Sequence, residues 1–236
     1  MKTKIRAILF ILLIILIHAK LCATAQVSDV IILGTENNRL LTNPLESLFF
    51  KKPELKEKYK NIRSKYDALI ATNCWRGYIA KFKIVGSALY VVDVTIKISV
   101  PPADDSSHFQ TKNISIFSEL FETENAVFCD FYSGMLIVPQ GAMVKYVHGG
   151  YLSEYEKYIL IKITDGKVIC KGEYRLQEYK EKKEKAFEAF YKSEKYEDCW
   201  NKIKNSFVES ISEESKKEIM KETDDFYVYD FFEFED

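Results

Sequence analysis

Two stretches near the middle of the chain alternate apolar and polar residues with period two. Residues 77–84 read Gly-Tyr-Ile-Ala-Lys-Phe-Lys-Ile, and residues 89–100 resume the alternation. Gly86-Ser87 lies between them, and a glycine-containing pair between two such runs is typical of a β-hairpin. Pro101 has no N–H to donate to a neighbouring strand, so it ends the second run. The pattern therefore predicts a hairpin that turns at Gly86-Ser87.

A second hairpin is predicted between residues 158–163 and residues 168–174. Asp165-Gly166 lies between these two runs, and this pair tolerates the positive φ angles that a type I′ turn requires. Residues 29–33, Asp-Val-Ile-Ile-Leu, form a further short β run near the start of the chain. Strands and turns are therefore expected to dominate the first three quarters of the sequence.

The spacing of apolar residues changes after Arg175. Residues 178–207 contain no glycine or proline, and large apolar side chains recur at intervals of three and four, including Phe187, Phe190 and Phe207. This pattern predicts an amphipathic helix or helical pair. We expect its apolar face to pack on the preceding strands, and the alternative is a helix that binds a partner.

Three shorter segments carry weaker patterns. Residues 115–122 predict one or two helical turns, and the lysines and glutamates of residues 53–67 predict a charged loop or a short surface helix. Residues 224–236 contain six acidic and six aromatic side chains. This last segment predicts either an edge strand or a disordered acidic-aromatic tail.

The N-terminus has the three-part pattern of a secretory signal peptide. Three basic residues within positions 1–6 precede an uninterrupted apolar run over residues 7–17, and Ala-Thr-Ala follows at residues 23–25. Small residues in this arrangement are typical of a signal-peptidase site. The pattern predicts cleavage before Gln26.

A membrane-anchored N-terminus is the alternative. The eleven apolar residues span about 17 Å as a helix, about half of a hydrocarbon core of roughly 30 Å. A lipid anchor on Cys22 is a second alternative, although Lys20 and Leu21 are poor neighbours for a lipidated cysteine. We expect an exported protein, periplasmic or secreted, with no stable transmembrane segment after maturation.

These patterns assign the chain to the α+β class. We expect a β-rich, curved antiparallel sheet with hairpins, followed by a C-terminal amphipathic helix or helical pair. The predicted organisation is a signal peptide at 1–25, a β-rich domain at 26–175, a helical extension at 176–223 and an acidic-aromatic tail at 224–236.

The predicted mature chain is mildly acidic. The full chain has 34 basic and 35 acidic residues, and four of the basic ones lie within residues 1–25, which leaves 30 basic residues and a net charge of −5. Charges of both signs are intermixed, so the chain offers no clustered basic surface for nucleic acid. A hydrophobic fraction of 47%, with 14% aromatic residues, excludes a disordered chain and suffices for a sizeable core.

The cysteines pose a question of pairing. In an oxidising compartment we predict at least one disulfide, and three pairings stay open. The alternative for some of them is a small buried apolar residue. No C-x-x-C pair is present and the chain has three histidines, so we expect no structural zinc. Four cysteines remain after cleavage: Cys74, Cys129, Cys170 and Cys199.

Two pairs of motifs carry a resemblance to a known family. Trp-Arg-Gly-Tyr-Ile-Ala at residues 75–80 precedes Leu-Tyr-Val-Val-Asp at residues 89–93. Ser-Gly-Met-Leu-Ile-Val-Pro-Gln-Gly at residues 133–141 precedes Tyr-Val-His-Gly-Gly-Tyr at residues 146–151. With these motifs the chain resembles a family of bacterial proteins to which no function is assigned. The resemblance covers residues 29–175, implies a single β-rich unit and supplies no reaction.

His148 is the first candidate for chemistry. Two glycines follow it and allow close approach of a ligand, and histidine is the commonest general base. Asp130 and Glu156 are its candidate acidic partners, and the alternative is a histidine that fixes a turn by hydrogen bonding. Cys74 beside Trp75 suggests a Cys–His nucleophile with His148, although no protease signature surrounds it.

A compact aromatic and cationic group precedes the first predicted hairpin. It consists of Trp75, Arg76 and Tyr78, and these residue types dominate protein interfaces. The group therefore predicts a recognition patch, together with the turn that contains His148 and Tyr151. The alternative places Trp75 or Tyr78 in the core, covered by the apolar stem of Arg76.

We therefore expect a binding or protein-interaction module whose partner is a protein or a small ligand, with no cofactor or metal. The sequence contains no phosphate-binding loop, Gly-x-Ser-x-Gly motif, His-Glu-x-x-His motif or calcium loop. One alternative is a small hydrolase that uses His148 with an acidic partner. Another is a structural envelope-associated protein. Convergence of His148, Asp130 and Glu156 in a pocket would favour the hydrolase.

Overall fold

The computed structural model describes residues 24–101, 110–204, 211–223 and 227–235. Nine strands within these residues form one sheet. They are β1 (Asp29–Leu33), β2 (Glu36–Leu40), β3 (Ile79–Val85), β4 (Ala88–Val100), β5 (Gln110–Ser115), β6 (Val127–Phe128), β7 (Gly134–Lys145), β8 (Glu154–Thr164) and β9 (Lys167–Arg175).

Helices connect and follow these strands. The first two helices, α1 (Pro44–Lys51) and α2 (Pro53–Lys65), both begin with proline, whose missing N–H is no loss at the first helical position. Most of the charged segment 53–67 is thus a helix, and the turns predicted at 115–122 form α3 (Phe117–Phe121). The described residues contain α1 (Pro44–Lys51), α2 (Pro53–Lys65), α3 (Phe117–Phe121), α4 (Leu176–Tyr191), α5 (Glu194–Ile203), α6 (Glu213–Glu222) and α7 (Val228–Phe231).

The sheet is mixed. Its strand order is β2-β1-β3-β4-β9-β8-β7, and β5 and β6 also pair with β4. β1 and β3 run parallel, with Val30 opposite Lys81, whereas the other ladders are antiparallel. A parallel pair needs a long connection, and β2, α1 and α2 supply it. The α+β class is confirmed, with one parallel pair that the sequence pattern did not predict.

The sheet curves until its two edge strands approach each other. Leu41, directly after β2, donates its backbone N–H to the carbonyl oxygen of Ile137 in β7 at 2.8 Å. The side chain of Gln140 donates to Asn38 Oδ1 at 2.9 Å. β2 and β7 form no ladder, so the sheet remains open.

Both predicted hairpins are confirmed. β3 and β4 pair on either side of Gly86-Ser87, and β8 and β9 pair on either side of Asp165-Gly166. Asp165 and Gly166 both have positive φ angles, 46° and 75°, as the type I′ turn requires. A Cβ added to Gly166 would lie 2.7 Å from the carbonyl oxygen of Cys129. This position therefore needs glycine for its packing as well as for its backbone angle.

One face of the sheet packs against α1, α2 and α3. Alternate residues of each strand reach this face, because side chains point to opposite sides of a strand in turn. The aromatic centre of this first core is Phe49, Tyr59 and Tyr78, whose rings lie 5.4–5.9 Å apart. Aliphatic residues surround it, among them Ile31, Leu45, Leu48, Ile62, Ala80 and Val94.

The C-terminal helices pack against the opposite face. Ile161 and Ile163 of β8 face the first core, whereas Tyr158 and Leu160 of the same strand face a second core that includes residues of α4. Phe187 of α4 is 1% exposed, and burying such a side chain stabilises the fold by about 1.5–3 kcal/mol. The prediction that the amphipathic segment packs on the strands is confirmed.

The described part of the acidic-aromatic tail contains α7 and forms no edge strand. Tyr227 and Phe232 are buried in the second core, and the Tyr227 ring stacks on Phe190 of α4 at 5.7 Å. Residues 224–226 and 236 lie outside the described residues. The prediction of an edge strand or disordered tail is therefore wrong for the described part, because its aromatic side chains complete the helical core.

Most of the predicted signal peptide, residues 1–23, lies outside the described residues. Gln26, the predicted first residue after cleavage, donates its backbone N–H to the carbonyl oxygen of Gly150 at 2.9 Å. Its side-chain nitrogen donates to the carbonyl oxygen of Thr72, also at 2.9 Å. Within the described part of the chain, every helix is too short or too polar to cross a bilayer.

Candidate functional site

The predicted recognition patch separates into one exposed and two buried side chains. Trp75 is 62% exposed, whereas Arg76 is 5% and Tyr78 is 1% exposed. Gly77 between them has a φ of 75°, which glycine adopts without strain. A Cβ added there would lie 3.1 Å from the hydroxyl oxygen of Tyr59. At this turn before β3, the chain places Trp75 outside and its two neighbours inside.

Arg76 lies at the centre of a buried polar network. Its Nη1 donates to the hydroxyl oxygen of Tyr151 at 2.6 Å. Its Nη2 donates to the carbonyl oxygen of Val27 at 3.0 Å and lies 3.3 Å from Asp29 Oδ1. The guanidinium carbon lies 5.3 Å from the centre of the Tyr78 ring, which is a cation–π contact. Arg76 therefore joins the segment before β1 to the loop before β8.

Asp29 is the buried counter-ion of Arg76. Its Oδ1 also accepts the backbone N–H of Ala80 at 2.9 Å, while its Oδ2 has no hydrogen-bond partner. Burial raises the pKa of Asp29 to about 7, against the opposing effects of Arg76 and the Ala80 N–H. Burial also disfavours the charge on Arg76. The electrostatic effect of Asp29 and other neighbours is larger, and it keeps the pKa of Arg76 above its ordinary value. A permanent cation thus faces a carboxyl group that titrates near neutral pH.

Two tyrosines connect this network to the surface. The hydroxyl of Tyr151 accepts from Arg76 and donates to Asn43 Oδ1 at 2.9 Å. The hydroxyl of Tyr78 donates to Glu46 Oε1 at 2.6 Å. Burial raises the pKa of Tyr151 to about 12 and holds the pKa of Tyr78 well above its usual value. Both hydroxyls therefore keep their protons and hold the side chains of Asn43 and Glu46 in place.

Asn43 and Glu46 line a cleft of about 500 Å³ between the sheet and the C-terminal segment. They come from the start of α1, Trp75 comes from the loop before β3, Ser133 precedes β7, and Tyr229 lies in α7. We call this the Trp75 cleft. Its volume lies within the range of cavities that bind small organic ligands.

The Trp75 cleft has an uneven distribution of charge. Among the described residues that line it, Glu46 alone carries a full charge. Glu46 lies in the first turn of α1, where the helix dipole favours a negative group. Thr42 lines the same wall, and its buried hydroxyl has no hydrogen-bond partner. The cleft therefore combines an exposed tryptophan with a fixed carboxylate and an unused hydroxyl.

His148 and Asp130 do not converge. His148 is exposed, and its Nδ1 lies 3.0 Å from the hydroxyl oxygen of Tyr146. Asp130 precedes β7 and His148 follows it, and the ends of a strand of twelve residues lie about 36 Å apart. Glu156 Oε2 accepts the backbone N–H of Ala142 at 3.0 Å. The structure therefore leaves His148 without Asp130, which the hydrolase hypothesis paired with it.

The prediction of a disulfide is wrong for this structure. All four cysteines are unpaired, and they lie on separate elements of the fold. The Cys74 thiol donates to the carbonyl oxygen of Tyr78 at 3.3 Å, so it is not engaged by a histidine. Burial raises the pKa of Cys129 to about 12 and also raises that of Cys170. Cys199 packs at the edge of the second core.

No metal centre is evident in the described ranges. Within them, no group of three or more histidine, cysteine, aspartate or glutamate side chains is placed to hold a metal ion.

Comparison of the chain with protein-family models, with curated proteins and with solved structures finds no match. The resemblance to a bacterial family stays a prediction, and the functional argument rests on the geometry of the site.

Of the described residues that line the Trp75 cleft, Trp75 alone was a candidate site residue from the sequence. Asn43 and Glu46 lie in an Asn-Pro-Leu-Glu segment, and proline after asparagine is a signal for the start of a helix. That signal indicates where a helix begins, but it does not show that the helix faces Trp75. Tyr229 belongs to the tail, whose aromatic residues gave no indication of where they pack. The approach of these segments depends on the strand order and on long-range packing, which no local pattern specifies.

Proposed function

We propose that this chain is a binding protein that takes a small ligand in the Trp75 cleft. The observation that carries this proposal is the 62% exposure of Trp75 at the edge of a cavity of about 500 Å³. The side chains of its neighbours Arg76 and Tyr78 are buried in the fold, whereas the aromatic ring of Trp75 stays exposed to solvent. Exposed tryptophan beside a concave surface is typical of a recognition site.

The buried network supports binding because it fixes the walls of the cleft before a ligand arrives. Asn43 is held by Tyr151, and Glu46 is held by Tyr78. Both tyrosines contact Arg76, whose side chain is almost fully enclosed. A preorganised site binds more tightly because less side-chain freedom is lost on association.

The same geometry argues for binding over the two alternatives. A hydrolase needs a nucleophile or activated water, a base and a group that orients the base, and the separation of His148 from Asp130 leaves this set incomplete. A purely structural envelope-associated protein needs neither the cleft nor the exposed Trp75. The basic, apolar and Ala-Thr-Ala order of the first 25 residues supports export, so binding takes place outside the cytoplasm.

A fragment library observed by ligand-detected NMR tests the proposal. We expect several fragments to bind the wild-type protein and to lose their signal with Trp75→Ala. The matched control is Phe50→Ala, which removes an aromatic side chain that is 86% exposed and does not line the cleft. Both substitutions should leave the melting temperature nearly unchanged, because neither side chain is buried.

The outcome that contradicts the proposal is equally specific. Fragments that bind wild type and Trp75→Ala with the same affinity would show that the cleft is not the binding site. A melting temperature that falls by many degrees with Trp75→Ala would show that Trp75 serves the fold.

A further inference from the structure

We infer that the ligand of the Trp75 cleft is an organic cation, a protonated amine attached to an apolar body. This inference rests on the proposed function and names the chemistry of its ligand. It starts from the wall of the cleft, where Glu46 supplies the one full charge among the described lining residues and Trp75 supplies the largest exposed ring. A carboxylate beside an aromatic face is the pair of groups that recognises organic ammonium ions.

The Glu46 carboxylate has hydrogen-bonding support but no cation of its own. Tyr78 donates to Oε1 at 2.6 Å, and the first turn of α1 stabilises the negative charge. Within the described residues Glu46 forms no ion pair, because the nearby Arg76 pairs with Asp29 instead. The carboxylate is therefore fixed, charged and available to a ligand.

The aromatic wall adds to this preference for positive charge. The face of an aromatic ring is electron-rich and attracts cations. Lys162 Nζ already lies 4.9 Å from the centre of the Tyr229 ring, so one face of that ring is occupied and Trp75 is the main free partner.

An anionic or neutral ligand fits this wall less well. An anion meets the charge of Glu46 in a partly enclosed space, where the repulsion between like charges is stronger than in water. A neutral ligand leaves the Glu46 carboxylate partly desolvated and without an opposite charge, which is unfavourable. The charge of Glu46 and the aromatic face of Trp75 therefore both favour a cationic ligand.

Three probes of similar size and different charge test the inference: phenethylamine, 2-phenylethanol and phenylacetate, titrated at pH 7 by ligand-detected NMR. We expect phenethylamine to bind at least about 10-fold more tightly than the other two, as an ion pair and a cation–π contact together provide. Glu46→Gln should remove that difference, and Glu46→Asp should retain part of it.

The matched control is Glu54→Gln. Glu54 occupies the first turn of α2 just as Glu46 occupies the first turn of α1, but it does not line the Trp75 cleft. We expect this variant to bind all three probes as the wild type does. Thermal melting of each variant shows whether it is folded, and Glu46→Asp provides a second comparison where Glu46→Gln does not fold.

The results separate this inference from the proposed function. If 2-phenylethanol or phenylacetate binds as tightly as phenethylamine, and Trp75→Ala abolishes that binding, the cleft binds ligands and the cation inference is wrong. If no probe shows binding that depends on Trp75, the cation inference is also wrong, and the fragment library then decides the proposed function. Nα-acetyl-lysine methylamide distinguishes the source of the cation, because tighter binding than phenethylamine indicates a protein side chain.

Discussion

Substitution of Arg76 by methionine tests the buried network that supports the cleft. Methionine keeps an apolar stem of similar length but removes the donors to Tyr151 and to Val27. It also leaves Asp29, which is 0% exposed, without its counter-ion. Removing one partner of a buried ion pair costs about 3–5 kcal/mol, since the other charge stays buried without compensation.

Chemical and thermal unfolding at pH 8 measure this loss. In the wild type, Asp29 is predominantly charged at that pH because its pKa is about 7, so its ion pair with Arg76 is formed there. For a chain of this size, a loss of about 3–5 kcal/mol lowers the melting temperature by about 10 °C. The loss should be smaller in an Asp29→Asn background, because Arg76 no longer has a charged partner there.

Arg39→Met provides the matched control. Arg39 also donates to a tyrosine hydroxyl, that of Tyr155 at 2.7 Å, but it is exposed. Its removal should change the free energy of unfolding by no more than about 1 kcal/mol. If Arg76→Met and Arg39→Met destabilise the protein equally, the buried network does not support the fold and the reasoning is refuted.

Four further predictions follow from individual residues. Burial raises the pKa of Asp29 to about 7, above an unfolded value of about 3.9, so its contribution to stability is complete below pH ~4 and is lost as the pH rises through 7. Melting curves across this range should show that the free energy of unfolding of the wild type declines by up to about 4 kcal/mol, a decline that Asp29→Asn lacks. Gly166→Ala should cost more than Gly86→Ala, by about 1–3 kcal/mol, because both positions have positive φ but only at Gly166 does an added Cβ meet a backbone oxygen, that of Cys129, at 2.7 Å; equal losses in urea unfolding would refute that packing argument. Thiol titration of the mature protein, unfolded without reductant, should find four free thiols, with Cys129 the slowest to react in the native state; a count of two or none would show disulfides. N-terminal sequencing of the exported protein should begin at Gln26, whereas an intact Met1 on a membrane-bound form would contradict cleavage.

Local patterns predicted the elements whose causes are local. The turn at Asp165-Gly166 follows from residues that tolerate positive φ, and the change from strands to helices at Arg175 follows from a change in apolar spacing. The charged residues of segment 53–67 suit either a loop or a helix, so the pattern does not decide between them. These elements needed no information from distant parts of the chain.

The site depended on contacts that are far apart in sequence. The residue types at Trp75 and Arg76 predicted recognition, but their burial differs because Asp29 lies beneath only one of them. In the proposed function, the exposed Trp75 contacts the ligand, and the buried Arg76 supports the walls of the cleft. Tyr229 joins the cleft through packing of the tail on α4, and the disulfide prediction failed because compartment and even number say nothing about distance.

A crystallographic fragment screen tests the central claim most directly, because it locates bound molecules without assuming which ligand is physiological. The account predicts that bound fragments concentrate in the Trp75 cleft, in contact with the Trp75 ring, and that amine-containing fragments place their nitrogen beside the Glu46 carboxylate. Fragments that bind repeatedly in the neighbouring cleft lined by Arg39 and Tyr146, with none beside Trp75, would contradict it.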